Sequence, residues 1–294
     1  MKIGFFGDGP WSHNAILHLV NDPIFEIAFI CVRFKNPDTK LIEFAREKRI
    51  QLYIEKEVNS KEFLDKLKKM KLDLIVSMSF DQIFKKEILG LPKFGSINCH
   101  AGKLPYYRGR NVLNWVLIND EKEFGITVHY IDEGIDSGDI IVQRVFPITD
   151  DDTYATLLTK AYTECASLLY DGIKKIQHNE VKRISQSEID NYGSYFTQRK
   201  NGDEAIDWNK TSREVFNFIR ALTIPGPCAS TYHGETEIKI LEAQFMISAP
   251  AYKGINGAII NVQHGAFFVK TSDSFIRVVK WNEEFIPRIG IRLK

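Results

Sequence analysis

Short apolar runs and amphipathic stretches alternate through the first half of the chain. Residues 3–6, 26–32, 74–77 and 96–99 are nearly unbroken apolar runs, the pattern of strands buried on both faces. Residues 12–20, 41–48, 60–70 and 84–89 place apolar side chains at helical spacing, and Ser60 stands where an N-cap belongs. Strands alternating with helices predict a parallel α/β sheet. Residues 125–132 and 139–148 read as two more strands, and residues 153–177 as a long helix behind the acidic start Asp150-Asp151-Asp152. Residues 185–203 are polar and turn-rich, as a linker is. A helix over 212–222 follows, stopped by Pro225-Gly226-Pro227. Four β-prone runs, at 237–242, 258–261, 266–270 and 274–281, predict a small β domain. The expected division is an α/β domain over 1–184, a linker over 185–204, and a helix plus small β domain over 205–294.

The 294 residues carry a net charge of +1, which gives no reason to expect a polyanion as the main partner. The lysines of the 60–70 helix therefore read as a solvated face. Cys31, Cys99, Cys165 and Cys228 are far apart and form no Cys-x-x-Cys pair, so neither a zinc site nor a disulfide framework is expected. No His, Asp or Glu grouping has metal-ligand spacing, and no metal is expected. No apolar run is long enough for a membrane span, and Met1-Lys2-Ile3-Gly4-Phe5-Phe6-Gly7 reads as a strand, not a signal peptide. The expectation is a cytoplasmic protein without a membrane or nucleic-acid partner.

Chemistry concentrates between residues 96 and 142. In Ser96-Ile97-Asn98-Cys99-His100, strand alternation puts Asn98 and His100 on one face and Cys99 on the other. An amide beside an imidazole at a strand end can bind a developing oxyanion and move a proton. Asp136, in the turn Glu133-Gly134-Ile135-Asp136-Ser137-Gly138, can hold that imidazole in one tautomer. Cys99 reads as a packed thiol, and His129, on a strand with no partnered motif, as structural. The constellation of Asn98 and His100, Leu104-Pro105, Arg108-Gly109, and Asp136 between Gly134 and Gly138 resembles the folate-dependent formyltransferases. The resemblance covers most of residues 1–150 and returns at Ile206-Asp207-Trp208 and Asn217-Phe218-Ile219-Arg220-Ala221. It implies an α/β fold: a Rossmann-like formyltransferase domain with a parallel sheet core, then a smaller, mostly-β, OB-like C-terminal domain. It implies 10-formyltetrahydrofolate as co-substrate, with Asn98, His100 and Asp136 catalytic. Met78, Phe80, Gly102, Lys103, Leu104, Pro105 and Arg108 would then surround the cofactor, although a solvated surface role suits Lys103 equally well.

Gly7-Asp8-Gly9-Pro10-Trp11-Ser12 joins the first strand to the first helix, where a phosphate-binding turn belongs. Ser12 replaces the third glycine of the dinucleotide fingerprint, and Val32-Arg33 stands where its acidic residue would be, which argues against a nicotinamide enzyme. These glycines form either a tight turn or a wall of a substrate cleft. On the second reading Gly9, Trp11 and Ser12 bind substrate. Gly102-Lys103-Leu104-Pro105-Tyr106-Tyr107-Arg108-Gly109-Arg110-Asn111, Asn114-Trp115, and Gly193-Ser194-Tyr195-Phe196 with Arg199 look most like the sugar N-formyltransferases. The basic insertion that initiator-tRNA enzymes carry after the second strand is missing. The resemblance thus implies a small-molecule nucleotide sugar as acceptor, a dTDP-3- or 4-amino-dideoxyhexose for surface polysaccharide (O-antigen), with Tyr195 and Arg199 on the sugar-nucleotide side. Methionyl-tRNA formyltransferase, a 10-formyltetrahydrofolate hydrolase and a non-catalytic folate- or nucleotide-binding protein are the alternatives. Exposed β edges leave a homodimer open.

Overall fold

The structure, a computed structural model, describes residues 1–282 and 284–294. In chain order the first elements are β1 (Lys2–Gly7), α1 (Gly9–Val20), β2 (Glu26–Val32), α2 (Thr39–Glu47), β3 (Gln51–Ile54), α3 (Lys61–Met70), β4 (Leu74–Met78), α4 (Lys86–Leu89) and β5 (Ser96–His100). β6 (Arg108–Gly109), α5 (Val112–Ile118), β7 (Glu123–Tyr130), β8 (Ile140–Pro147), α6 (Tyr154–Gln177), α7 (Gln186–Ile189) and β9 (Tyr195–Phe196) follow. The chain ends with α8 (Ser212–Ala221), β10 (Ala229–His233), β11 (Thr236–Gln244), β12 (Ile259–Gln263), β13 (Ala266–Lys270) and β14 (Phe275–Trp281). Two compact units result, and neither is continuous in sequence. The first comprises residues 1–109, 124–146 and 159–196; the second comprises 110–123, 147–158 and 197–294.

In the first unit a seven-stranded sheet has the order β3-β2-β1-β4-β5-β7-β8. β1 to β5 pair in parallel, and β7 runs antiparallel to β5. Strand order reverses at β1, which has β2 on one side and β4 on the other; in open α/β sheets the carboxyl ends of the strands beside such a reversal are where ligands are usually received. The helices start where the sequence provides caps: Asp38 accepts from the Leu41 amide at 2.8 Å, and Ser60 from the Phe63 amide at 3.3 Å. An aromatic cluster packs α3 against the sheet. Phe6 meets Phe29, Phe63, Phe80 and Phe84 edge-on, with ring centroids 4.7–6.3 Å apart, and Tyr53 closes on Phe63 at 5.2 Å.

The second unit is a five-stranded antiparallel sheet, β10-β11-β14-β13-β12, built with α8. Trp208 is buried and donates to the Thr231 hydroxyl at 2.9 Å. α8 begins with a reciprocal capping box between Thr211 and Glu214. Two arginines of α8 fix its neighbours: Arg213 pairs with Asp120 and Asp150, and buried Arg220 donates to the Thr149 carbonyl at 2.6 Å. Burial works against the ionised Asp120 carboxyl, yet its bonds to Arg213 and Lys122 hold it down at about 2. Lys270 is fully buried at the end of β13, its ammonium donating to the carbonyls of Thr271 (2.6 Å) and Ser274 (3.1 Å) over the Tyr252 ring.

The alternation in the first half appears as expected; β3, α5 and β10 are additions, and so are the short β6, α7 and β9. β3 is a short, half-exposed edge strand with no clean period. α5 is nearly all apolar, so no helical stripe stands out against a polar face. Among the described residues no helix is long and apolar enough to cross a membrane, and no group of three or more His, Cys, Asp or Glu could hold a metal ion.

Phe63 is fully buried among Phe6, Phe29 and Tyr53. Phe63→Ala should lower stability by about 3–5 kcal/mol, read as a reduced urea midpoint at unchanged slope.

Candidate active site

Asn98 and His100 sit at the carboxyl end of β5 on the same face, while Cys99 points into the core and its thiol meets the Cys165 carbonyl at 3.5 Å. β7 crosses antiparallel with Asn98 opposite His129 and His100 opposite Thr127. The register therefore delivers a second imidazole to the site. His129 is buried, its Nδ1 lies 2.8 Å from the Tyr130 carbonyl, and its Nε2 lies 3.2 Å from the Asn98 amide nitrogen. The Tyr130 carbonyl accepts from Nδ1, and Nε2 is left facing both the Asn98 amide and the Asp136 carboxylate. The expectation of a purely structural His129 thus misses its place. Strand pairing, not its local sequence, carried that signal.

Asp136 lies between the two rings. One carboxylate oxygen is 3.6 Å from His100 Nδ1, the other 3.6 Å from His129 Nε2, and the Gly109 amide donates to it at 2.9 Å. Burial opposes ionisation here, but His100, His129 and the Gly109 amide outweigh it and hold the carboxyl well below the usual carboxylate range. Asp136 is accordingly an anion at any pH where an imidazole can work as a base. A depressed folded-state value also means that its contribution to stability is complete above the ordinary carboxylate pKa, about 3.9, and fades as pH falls towards the depressed one.

His100 Nε2 faces the Tyr107 carbonyl at 2.7 Å. That approach requires Gly102, where a Cβ would fall 2.5 Å from Nε2 and 2.4 Å from the Tyr107 oxygen. The loop carrying Gly102, Leu104 and Pro105 rests on two buried or half-buried polar side chains. Thr127 donates to the Gly102 carbonyl at 2.7 Å, and Gln143 to the Leu104 carbonyl at 2.8 Å; Leu104-Pro105 is a cis peptide. Lys103 is half-buried beside Gly125, where a Cβ would stand 2.6 Å from that of the lysine.

The other residues expected to bind ligands occupy varied positions. Arg108 is buried, with its guanidinium donating to the Gln186 amide oxygen, the Tyr192 carbonyl and the Tyr195 hydroxyl at 2.9, 3.3 and 3.0 Å. It organises the segment around β9, a role that the expectation of a residue beside the cofactor did not include. Tyr195 is 55% exposed and lies under the same guanidinium. The Met78 carbonyl accepts from the Asp8 amide and the Ser12 hydroxyl. Ser12 is fully buried, and its hydroxyl bridges Asp8 and Met78, so it tightens the β1–α1 turn from inside. Gly9 has φ +66° and gives its amide to Asp38 at 2.9 Å, and Trp11 packs edge-on against Tyr162 at 4.6 Å. In the second unit Arg199 lies between the rings of Trp115 and Phe218, 5.4 and 5.5 Å from their centroids, and its amide donates to Asn111.

Asp136→Asn should lower turnover by roughly 100- to 10,000-fold while leaving the circular dichroism spectrum unchanged, because the amide cannot support an imidazolium. Gly102→Ala should also impair turnover, because a Cβ 2.5 Å from His100 Nε2 would block that nitrogen and displace the ring. Wild-type rates in either variant would dismantle the assigned geometry.

A formyl transferase domain matches residues 27–173, and a formyl transferase C-terminal domain matches residues 199–285. The methionyl-tRNA formyltransferase of Fusobacterium nucleatum is 34% identical over 93% of this chain and 89% of its own length. The bifunctional polymyxin resistance protein ArnA of Wigglesworthia glossinidia brevipalpis is 37% identical over 72% of this chain, which spans 32% of that larger protein. Among solved structures, WlaRD, a sugar 3N-formyl transferase studied with dTDP and 5-N-formyl-THF, matches at TM-score 0.73 and 26% identity over 97% of this chain and 99% of its own. The N-formyltransferase of Helicobacter canadensis, solved with folinic acid and dTDP-3-aminofucose, matches at TM-score 0.72 and 26% identity over 95% and 98%. With an amide, two imidazoles and a buried carboxylate at the strand ends of the sheet that the first match largely covers, and a second match over the C-terminal unit, the chain belongs to the formyl transferase family.

Proposed function

We propose that the protein transfers the formyl group of 10-formyltetrahydrofolate to the amine of a nucleotide-linked sugar, a dTDP-3- or 4-amino-dideoxyhexose. The observation that carries this reading is the likeness, through both domains and nearly full length, to two sugar N-formyltransferases. The passage from β2 to α2 supports it: residues 33–38 connect them directly, with no basic insertion for a tRNA acceptor stem.

In the reaction the neutral amine attacks the formyl carbon and a tetrahedral oxyanion forms. Asn98 donates to that oxygen through its amide, which is uncharged at every working pH. For catalysis the Tyr107 carbonyl gives way and the neutral ring keeps its single proton on Nδ1, towards Asp136; the free Nε2 lone pair then accepts the amine proton. Collapse breaks the bond from the formyl carbon to folate N10. The proton held by His100 goes to N10, leaving tetrahydrofolate and the formamide.

The β4–α4 loop suits a flat heterocycle with polar edges. The backbone amide and carbonyl of Phe80 make no hydrogen bond among the described residues, and Ile83 beyond it is 67% exposed. Ile135, beside Asp136, is 56% exposed and offers a further apolar face. In this reading Phe80, Gly102, Lys103, Leu104 and Pro105 line the folate, with Met78 and Arg108 holding the loops that do so. Gly9, Trp11 and Tyr195 stand on the sugar-nucleotide side. Cytoplasmic O-antigen precursor synthesis, and a homodimer formed through β edges, complete the proposal.

Methionyl-tRNA formylation is the second reading, favoured by the near full-length likeness to enzymes of that name. The test incubates the protein with 10-formyltetrahydrofolate and a panel of dTDP- and UDP-amino sugars, with charged initiator tRNA alongside. Mass spectrometry should find one added formyl group on a dTDP-amino sugar and none on methionyl-tRNA. Formylated methionyl-tRNA with inert sugars would establish the second reading. Formate release without any acceptor would instead make the protein a hydrolase.

A further inference from the structure

We propose that Gln186 is a positioning residue for the catalytic pair: its side-chain amide holds the main chain of the Asp136 turn, and so sets where the carboxylate stands between His100 and His129. The inference rests on the reading of His100 and Asp136 as the acid–base pair.

Gln186 opens α7, in the segment that reads as a polar linker, yet it is 2% exposed. Its amide nitrogen donates to the carbonyls of Asp136 and Gly138, both at 2.8 Å. Its amide oxygen accepts from Arg108 Nε at 2.9 Å. Both N–H donors and the carbonyl of the amide are therefore used, a pattern that fits a primary amide and no other natural side chain of this length. A glutamate would retain the acceptor for Arg108 and turn a second oxygen towards two carbonyls. A leucine would leave both carbonyls and the guanidinium without their partner.

The turn needs such support. Asp136 has φ +52°, a left-handed backbone that a residue with a Cβ adopts at a cost. Its side chain is gripped from the other direction by the Gly109 amide at 2.9 Å. Arg108, the residue before Gly109, is the one bonded to Gln186. Main chain and carboxylate of Asp136 are thus fixed by two neighbouring anchors that are themselves joined by one hydrogen bond. Arg108 extends the chain of contacts to the Tyr192 carbonyl and the Tyr195 hydroxyl. The segment from Gln186 to Tyr195 is part of the catalytic apparatus by this route, although none of these contacts touches a reacting atom.

The experiment compares full-length wild type with Gln186→Leu and Gln186→Glu. Initial rates give kcat and KM for the formyl donor, and ¹⁵N imidazole spectra of His100 and His129 are recorded at fixed pH without substrates. Both variants are expected to lose about 10- to 100-fold in kcat, the usual effect of removing a partner that orients a functional group, with KM little changed. Both should also displace the two imidazole signals. Wild-type kcat in Gln186→Glu would overturn the proposal, because the acceptor for Arg108 would then be all that matters. Unmoved imidazole signals in a folded variant would overturn it too. If Gln186→Leu fails to fold, Gln186→Glu, which keeps the Arg108 bond, decides alone. If wild type formylates no acceptor, the substrate reading fails and the imidazole spectra still judge Gln186.

Discussion

The site depends on keeping one carboxylate charged where water is scarce. An ion removed from water costs several kcal/mol unless fixed partners replace its hydration. Asp136 has three: the Gly109 amide and the two imidazoles. Each comes from a different part of the chain, so the ionised carboxylate and the arrangement around it are mutually dependent. Remove the charge and His100 loses the neighbour that fixes its tautomer. Remove the partners and the charge becomes too costly to keep.

The sheet makes this arrangement available. Parallel strands β1 to β5 bring their carboxyl ends to one edge, with the reversal of strand order at β1. A sheet continued in parallel would have added only another strand end there. Instead β7 runs antiparallel to β5 and sets His129 across from Asn98. The chain then returns through the glycine-rich turn with Asp136. Gly109, with φ +95° and the Phe196 carbonyl 2.2 Å from where a Cβ would be, lets β6 and β9 approach and present the amide to that turn.

Much of this is written locally in the sequence. The strand–helix alternation, the Ser60 cap and the set of Asn98, His100 and Asp136 all depend on neighbours within a few positions. What stayed hidden depends on distant ones. His129 looks ordinary until β7 is paired with β5. Ser12 looks like a binding residue until its hydroxyl is seen bridging Asp8 and Met78 in the interior. Arg108 looks like a free cation beside a site until Gln186, Tyr192 and Tyr195 engage it. Lys270 ends an apolar strand, and no period predicts that two carbonyls wait for its ammonium. Polar side chains in a sequence declare a capacity for hydrogen bonding, not its direction, and these residues direct it inward.

The same argument changes what a linker is in this chain. Residues 185–196 are polar and turn-rich, which in isolation describes solvated chain. Here Ser194 donates its amide to the Pro105 carbonyl and takes the Arg108 amide on its own carbonyl, while Phe196 stacks on Tyr107 at 5.0 Å, nearly parallel. Tyr107 is also the residue whose carbonyl meets His100. A change in this segment therefore reaches both His100, through Tyr107, and Asp136, through Gly109. Tyr192 and Tyr195 are exposed, while the Gln186 amide and the Arg108 guanidinium beneath them are buried. The segment thus has two faces, exposed tyrosines outward and, inward, an amide and a guanidinium that tie the Asp136 turn to β6.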